Sequence, residues 1–576
     1  MLTAAIQAAA LYLLTDAAKA PLSWPATEPP AFVPLLVVFS YIPLLLLLGF
    51  GQVRARPLAL WATVAIVIVA SLGVHDALRG RAADFTGAES FWPSPQLWLA
   101  LTGSLFVAHV LVIDSIIEKR LLISYPRHFD TAWKVAVQCG LAAVFVGVFW
   151  GVLHLGAGLF RLVDITYFTR LIEKRWFAFP ATTLALAVAI HVTDVQPALI
   201  RGARSMALTL FSWLLPLLVA ILFGFLVSLP FISLAPLWKT HFATALLLVS
   251  AGFVVLLMNS CYQDGALEQT QSRIKRFAVL LGAFELIPLV ALAAWALALR
   301  VGQYGWTVER IFAASVILIA ACYAIGYAGA AVRSPTWMKR MEITNVVTAY
   351  VALSVVLVLF SPIADPARLT VLDQVERLQS GAVPPDKFDF AALKFDGARW
   401  GRAALEQLAE AKEGAEAATI AERAKRALAL TNRYAGRNPP RATAAEMAER
   451  VAVYPAGRTL PAAFFEDAFV LPDSSQRPYC QTGMRQCLAR FVSLGPGQRE
   501  AIVFIDGRSI GYLFEQDASG PWKQTAHLQG NFSCNGAREE IENGAIALQP
   551  HTWPDIVVGS HRIEINSLLG MCGSPW

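Results

Sequence analysis

Ten runs of mostly apolar residues dominate this chain, at 31–50, 57–74, 95–117, 135–160, 176–194, 207–234, 241–260, 277–299, 308–332 and 346–362. As helices, runs near 20 residues match the hydrocarbon core of a bilayer, and a helix satisfies its backbone polar groups internally. The charge distribution agrees. Through Pro362 there are 24 Lys+Arg and 16 Asp+Glu, and beyond it 23 and 25. Only 15% of the chain is charged, against roughly 25% in soluble proteins, which excludes an ordinary soluble enzyme. The expected fold class is a polytopic α-helical membrane bundle of ten or eleven spans. A soluble α+β tail follows it, with a disulfide-stapled β-rich C-terminal domain.

Four regions are expected. Residues 1–30 form a short apolar or interfacial segment, since 1–14 is brief for a crossing and Asp16 and Lys19 close it. Residues 31–362 form the transmembrane domain. Residues 363–445 read as a juxtamembrane helical segment rich in Ala, Glu, Arg and Leu, punctuated by Pro384-Pro385 and Pro439-Pro440. Residues 446–576 carry short β-type runs, such as 501–505, 510–514 and 555–558, between Gly, Asp, Ser and Pro turns.

Lys and Arg favour cytoplasmic loops. Alternate connections, beginning with the one after the first span, hold 14 of them, and the other set holds nine. The richer set includes Arg54 and Arg56; Lys119, Arg120, Arg127 and Lys134; and Arg201 and Arg204. This bias places the tail outside the cytoplasm. Cys480, Cys487, Cys534 and Cys572 all lie in that tail, and disulfides persist in oxidising compartments such as a bacterial periplasm. Their pairing stays open among three connectivities. The C-x6-C spacing of the first two does not suit zinc, so no metal site is expected.

Ionisable residues within spans are functional candidates by default. Glu285, inside the run 277–299, is a candidate intramembrane relay. His109 and Asp114 form an H-x4-D string, but five helical residues turn about 500°, so the two do not share a face. His191 and Asp194, three apart, do share one. With Arg201, Arg204, Arg127, Lys134, Gln263 and Asp264 at the same membrane level, they form a candidate site for an anionic group such as a phosphate or carboxylate. Interfacial anchoring is the alternative account of these loops. Asp76, Asp84 and Glu89 in an early outside loop are candidate acids for chemistry on a lipid-linked substrate, though solvated loops carry acids too.

These loops also carry a resemblance. The strings are Phe129-Asp130 with Trp133-Lys134; His191-Val192-Thr193-Asp194; Ser212-Trp213 with Pro216; Tyr262-Gln263-Asp264-Gly265; Gln303-Tyr304-Gly305-Trp306-Thr307 with Arg310; and Ser361-Pro362 with Asp365-Pro366. In this order they resemble a bacterial membrane family, domain of unknown function 4153, over residues 95–380. The resemblance implies a multi-pass bacterial inner-membrane protein. It implies no reaction and no catalytic residues.

No P-loop, H-E-x-x-H or G-x-S-x-G string is present, so neither a P-loop ATPase nor those hydrolase classes fit. The sequence leans away from an enzyme and calls for no cofactor. It favours a non-ATPase transporter or lipid-handling protein with a cytoplasmic-side anionic-group site. The alternatives are a membrane scaffold presenting a periplasmic partner-binding domain, and a membrane enzyme acting on a lipid-linked substrate. Membrane lipids are the expected partners, with a periplasmic protein as a further candidate. Nucleic acid is not expected, because the net +6 is explained by loop cations. The sequence leaves the oligomeric state open.

Overall fold

The computed structural model describes residues 1–80, 92–120, 123–232, 242–265, 272–333, 337–412, 416–430, 433, 444–467, 487–493, 500–505, 510–516, 520, 522–529, 537–544, 556–558 and 561–563. Asp84, Glu89, Cys480, Cys534 and Cys572 lie outside the described residues. The chain divides into two compact units, Met1–Arg433 and Tyr434–Trp576.

The first unit is helical. After α1 (Leu2–Ala17) come α2 (Pro29–Gly49), α3 (Ala55–Arg79), α4 (Pro95–Glu118), α5 (Tyr125–Arg161), the short α6 (Tyr167–Glu173), α7 (Arg175–Val195) and α8 (Pro197–Ile232). Then follow α9 (Ala243–Tyr262), α10 (Arg273–Tyr304), α11 (Val308–Arg333) and α12 (Trp337–Leu359). Ten of the described helices, α2–α5 and α7–α12, are long and apolar enough to cross a membrane. Local chemistry sets several starts. Ser94 caps α4 by accepting from the Leu97 amide, with Pro95 in the first turn, and Ser272 caps α10 through the Lys275 amide.

The apolar residues split between two solvents. Leu286, Leu289 and Ala293 of α10 are fully buried between helices, whereas Leu99 is 78% and Leu155 65% exposed. A rim of exposed leucines suits lipid rather than water. Several helices exceed the expected runs, α5 and α8 among them. α5 has 37 residues and so extends about 55 Å, against a hydrocarbon core of about 30 Å. Its polar first turns, carrying Arg127, His128, Asp130 and Lys134, are therefore helix rather than loop. Arg201 and Arg204 likewise ride on the first turns of α8.

Four amphipathic helices complete this unit: α13 (Pro366–Gln379), α14 (Phe390–Asp396), α15 (Ala398–Glu410) and α16 (Ala417–Ala429). They close around Val371, Leu378, Leu393, Leu405 and Leu408.

The second unit contains α17 (Ala444–Arg450), β1 (Val451–Tyr454), α18 (Ala462–Asp467), β2 (Cys487–Ser493), β3 (Glu500–Ile505), β4 (Ile510–Gln516) and β5 (Trp522–Gln529). Next come α19 (Ala537–Asn543), β6 (Ile556–Val558) and β7 (His561–Ile563). Strands β1–β5 form one sheet in sequence order. β1 runs parallel to β2 and the other pairs are antiparallel. Ile502 faces Phe514 across β3–β4, and Phe464 of α18 seats edge-on against Phe514 and Trp522. The core takes every second residue of the strands, Cys487 and Ala489, Ile502 and Phe504, Tyr512 and Phe514, as the two-residue period of a strand requires for one face. Cys487, at the head of β2, is completely buried in this core.

Candidate functional site

At the end of the bundle where α4 stops, Asp114 is fully buried. Thr131 Oγ1 donates to it at 2.6 Å and His128 Nδ1 at 2.7 Å, and Arg127 Nε lies 3.4 Å away. All three partners sit in the first turns of α5. A buried carboxylate needs such donors and counter-charge to be stable, so Asp114 fastens α4 to α5. His109, five residues back, has a different partner: Trp61 Nε1 of α3 donates to its Nδ1 at 3.3 Å.

Among the anionic-group candidates one pair closes within the set, Lys134 with Asp194, while Arg204 and Arg127 pair with Asp130 and Asp114. Lys134 Nζ meets Asp194 Oδ1 at 3.1 Å, joining α5 to α7. Arg204 Nη2 meets Asp130 Oδ1 at 2.5 Å, joining α8 to α5, and its guanidinium lies over the Phe129 ring. Asp194 also approaches Gly51, where an added Cβ would sit 2.9 Å from Oδ2. His191 and Arg201 are exposed. Gln263 and Asp264 form the turn that ends α9, with Gln263 at φ +56°. Gly265 lies so close to the Tyr262 hydroxyl that a Cβ would fall 2.8 Å from it. That hydroxyl donates to Glu342 at 2.6 Å.

Sequence reasoning missed a polar ring just inside this end. Tyr125 Oη donates to Asn259 Oδ1 at 2.9 Å, and Asn259 Nδ2 donates to Tyr327 Oη at 2.8 Å. Tyr327 Oη then donates to Asn345 Oδ1 at 2.7 Å, and Asn345 Nδ2 returns to Asn259 Oδ1 at 2.8 Å. The ring ties α5, α9, α11 and α12 together with every polar atom used. The available signal was Asn259 inside one apolar run and Asn345 immediately before another.

A cavity of about 930 Å³ forms a groove between α3, α4 and α12. Trp61, Ala65 and Leu72 line it from α3, Leu101, Leu105 and Ala108 from α4, and Tyr350, Leu353 and Leu357 from α12. Between Leu101 and Ile116 the α4 wall runs about 22 Å. At its end stand Lys119 and Arg120, both exposed and in no ion pair among the described residues. Lys119 adopts a left-handed conformation, φ +53°, immediately after α4 ends. In the sequence these two counted only as loop charges. Their signal was position, directly after an apolar run.

At the opposite end, the Gln303–Trp306 string is a socket. The Trp306 amide donates to Asp373 Oδ2 at 2.8 Å, Gln374 Nε2 donates to the Tyr304 and Trp306 carbonyls at 3.0 Å, and Arg377 reaches the Gln303 carbonyl at 3.1 Å. All three side chains belong to α13. Asp365 caps α13 through the Ala367 and Arg368 amides. It also accepts from His75 Nε2 at 2.9 Å and pairs with Arg79 Nε at 3.0 Å. Asp76, the described member of the early acidic loop, accepts from the Ser94 amide and hydroxyl. Beside these groups a polar cleft of about 250 Å³ includes Arg79, Glu309 and Asp396. Burial raises the Asp396 carboxyl above the ordinary range, although Arg433 pairs with it.

Glu285 stands apart from both ends. It is 3% exposed, and neither carboxyl oxygen has a hydrogen-bond partner among the described residues.

The family model described as Domain of unknown function (DUF4153) matches residues 8–410. No curated protein and no solved structure matches the chain.

Proposed function

Because the chain belongs to the DUF4153 family, which brings no activity with it, we propose from geometry that it is a lipid-handling integral membrane protein holding an anionic phospholipid in the α3–α4–α12 groove. One observation carries this reading: an apolar trough as long as an acyl chain ends at two cations in no ion pair among the described residues. The division of labour follows from the solvent. Lipid tails are as apolar as the groove, so the trough offers shape and little net transfer energy. Selectivity must come from the head group. A Lys or Arg near an anionic surface contributes about 1 kcal/mol, so two give roughly a 30-fold preference over a zwitterionic lipid.

The 14-to-nine loop bias supports placing the Lys119 end in the cytoplasm and the second unit in the periplasm of a bacterial inner membrane. There Cys487, buried in the sheet core, would be stapled to Cys480, Cys534 or Cys572. In this reading the anion-holding role expected of Arg127, Lys134 and Arg204 passes to Lys119 and Arg120. The former three clasp helices, and exposed Arg201 adds only to the surface potential.

The test is thermal stability of the full-length protein in detergent, with added phosphatidylglycerol or phosphatidylcholine. Phosphatidylglycerol should stabilise the parent more, and Lys119→Ala/Arg120→Ala should erase that difference. Equal stabilisation of the parent by both lipids would sink the reading.

A further inference from the structure

Glu285 is a carboxyl in the interior of a membrane-spanning helix, 3% exposed, with both oxygens unpartnered among the described residues. An unpaired ionised carboxylate in such a place is prohibitively costly, and a neutral acid without a hydrogen bond still loses its hydration. The surroundings offer no counter-charge. α10 packs against α8, α9 and α11. Between Arg204 and Ile232 of α8 there is no charged residue, and none between Ala243 and Asn259 of α9 or between Ile311 and Val332 of α11. The titratable groups these stretches bring are Cys322, Tyr323 and Tyr327 of α11, and Tyr327 is already committed to Asn345.

A purely structural acid would be expected to sit in a closed, regular helix. Glu285 does not. One turn on, Pro288 removes the amide that would bond the Phe284 carbonyl, so α10 has a joint beside the acid. A depression of about 540 Å³ opens there between Pro230 of α8 and Pro288. Gly282, one turn before Glu285, keeps the opposite side narrow: a Cβ there would lie 3.3 Å from Val219 and 3.4 Å from Val254. The acid therefore stands between a tight contact and a helix joint where the backbone has room to rearrange.

We propose that Glu285 is a proton-binding site inside the bundle, loaded and unloaded from the aqueous phase through opening at the Pro288 joint. Only the O–H bond changes: the proton passes from the carboxyl to a water molecule, leaving a carboxylate, and returns by the reverse step. This site is separate from the lipid groove and stands or falls without it.

The experiment is infrared spectroscopy of the full-length protein in lipid nanodiscs, parent against Glu285→Gln, before and after transfer to D2O. The parent-minus-variant difference should contain the C=O stretch of an un-ionised carboxylic acid, and that band should shift within minutes in D2O. A band that does not shift over hours identifies a sealed structural acid and overturns the proposal. A carboxylate band alone, or no difference, overturns it too. Should Glu285→Gln fail to fold, Glu285→Asp assigns the same group through its displaced band, with the same D2O criterion.

Discussion

Lys134 on α5 and Asp194 on α7, sixty residues apart, close a 3.1 Å ion pair, and the second Asp194 oxygen lies against Gly51 at the turn after α2. Two helices and the turn after α2 thus meet at one carboxylate. Both side chains are about one-third exposed, so the pair resembles a surface bridge in strength, about 0.5–1 kcal/mol. A double-mutant cycle with Lys134→Ala and Asp194→Ala should give coupling of that size. Arg201→Ala, at an exposed position without an ion pair among the described residues, should leave Tm unchanged. A larger loss for Arg201→Ala than for Asp194→Ala would contradict the assignment of Asp194 as a clasp.

Gly305 tests the socket at the other end. Its φ is +74°, and a Cβ would collide with Asp373, Gln374 and Arg377 of α13. Gly305→Ala therefore combines backbone strain with a displaced helix, and a loss of about 1–3 kcal/mol is expected. Limited proteolysis should show faster cleavage between α12 and α14. Unchanged proteolysis would mean that the string does not hold α13.

Much of this was legible before any coordinates. Ten runs announced ten helices because lipid imposes length and apolarity together, leaving few alternatives. The strands at 501–505 and 510–514 showed through β-branched and aromatic residues, whereas β5, Trp522–Gln529, is largely polar and did not. Site chemistry was less legible, because which cation meets which carboxylate depends on helix rotation and length. Lys134, Asp194 and Arg204 were recognised as one level of charge, but the pairing of Lys134 with Asp194 and of Arg204 with Asp130 required α5 to begin at Tyr125. Lys119 and Arg120 gained meaning only when α12 formed the third wall of the groove.

Asp396 yields a pH prediction. Burial raises its carboxyl in the folded state. The folded chain then binds more protons than the unfolded chain between the ordinary Asp value and the raised one. The stability contribution is present below that window and lost as pH rises through it. Asp396→Asn cannot titrate. Its Tm relative to the parent should therefore climb from mildly acidic to neutral pH. A flat difference across that range would show that Asp396 is not desolvated.

Orientation is checked by fusions after Arg433. Alkaline phosphatase there should be active and a green fluorescent fusion dark, with Cys487 recovered in a disulfide when thiols are mapped without reductant. An inactive phosphatase with a bright fluorescent fusion would reverse the topology and place Lys119 outside.

The lipid groove itself is tested most directly by photo-crosslinking in nanodiscs, using phosphatidylglycerol with a diazirine on its acyl chain. The label is expected on peptides of α3, α4 and α12 that line the trough, especially between Leu101 and Ile116. Unlabelled phosphatidylglycerol should compete it away and phosphatidylcholine should not, and Lys119→Ala/Arg120→Ala should abolish that distinction. Label spread evenly over the lipid-facing helices, with both lipids competing alike, would contradict a phospholipid site in this groove.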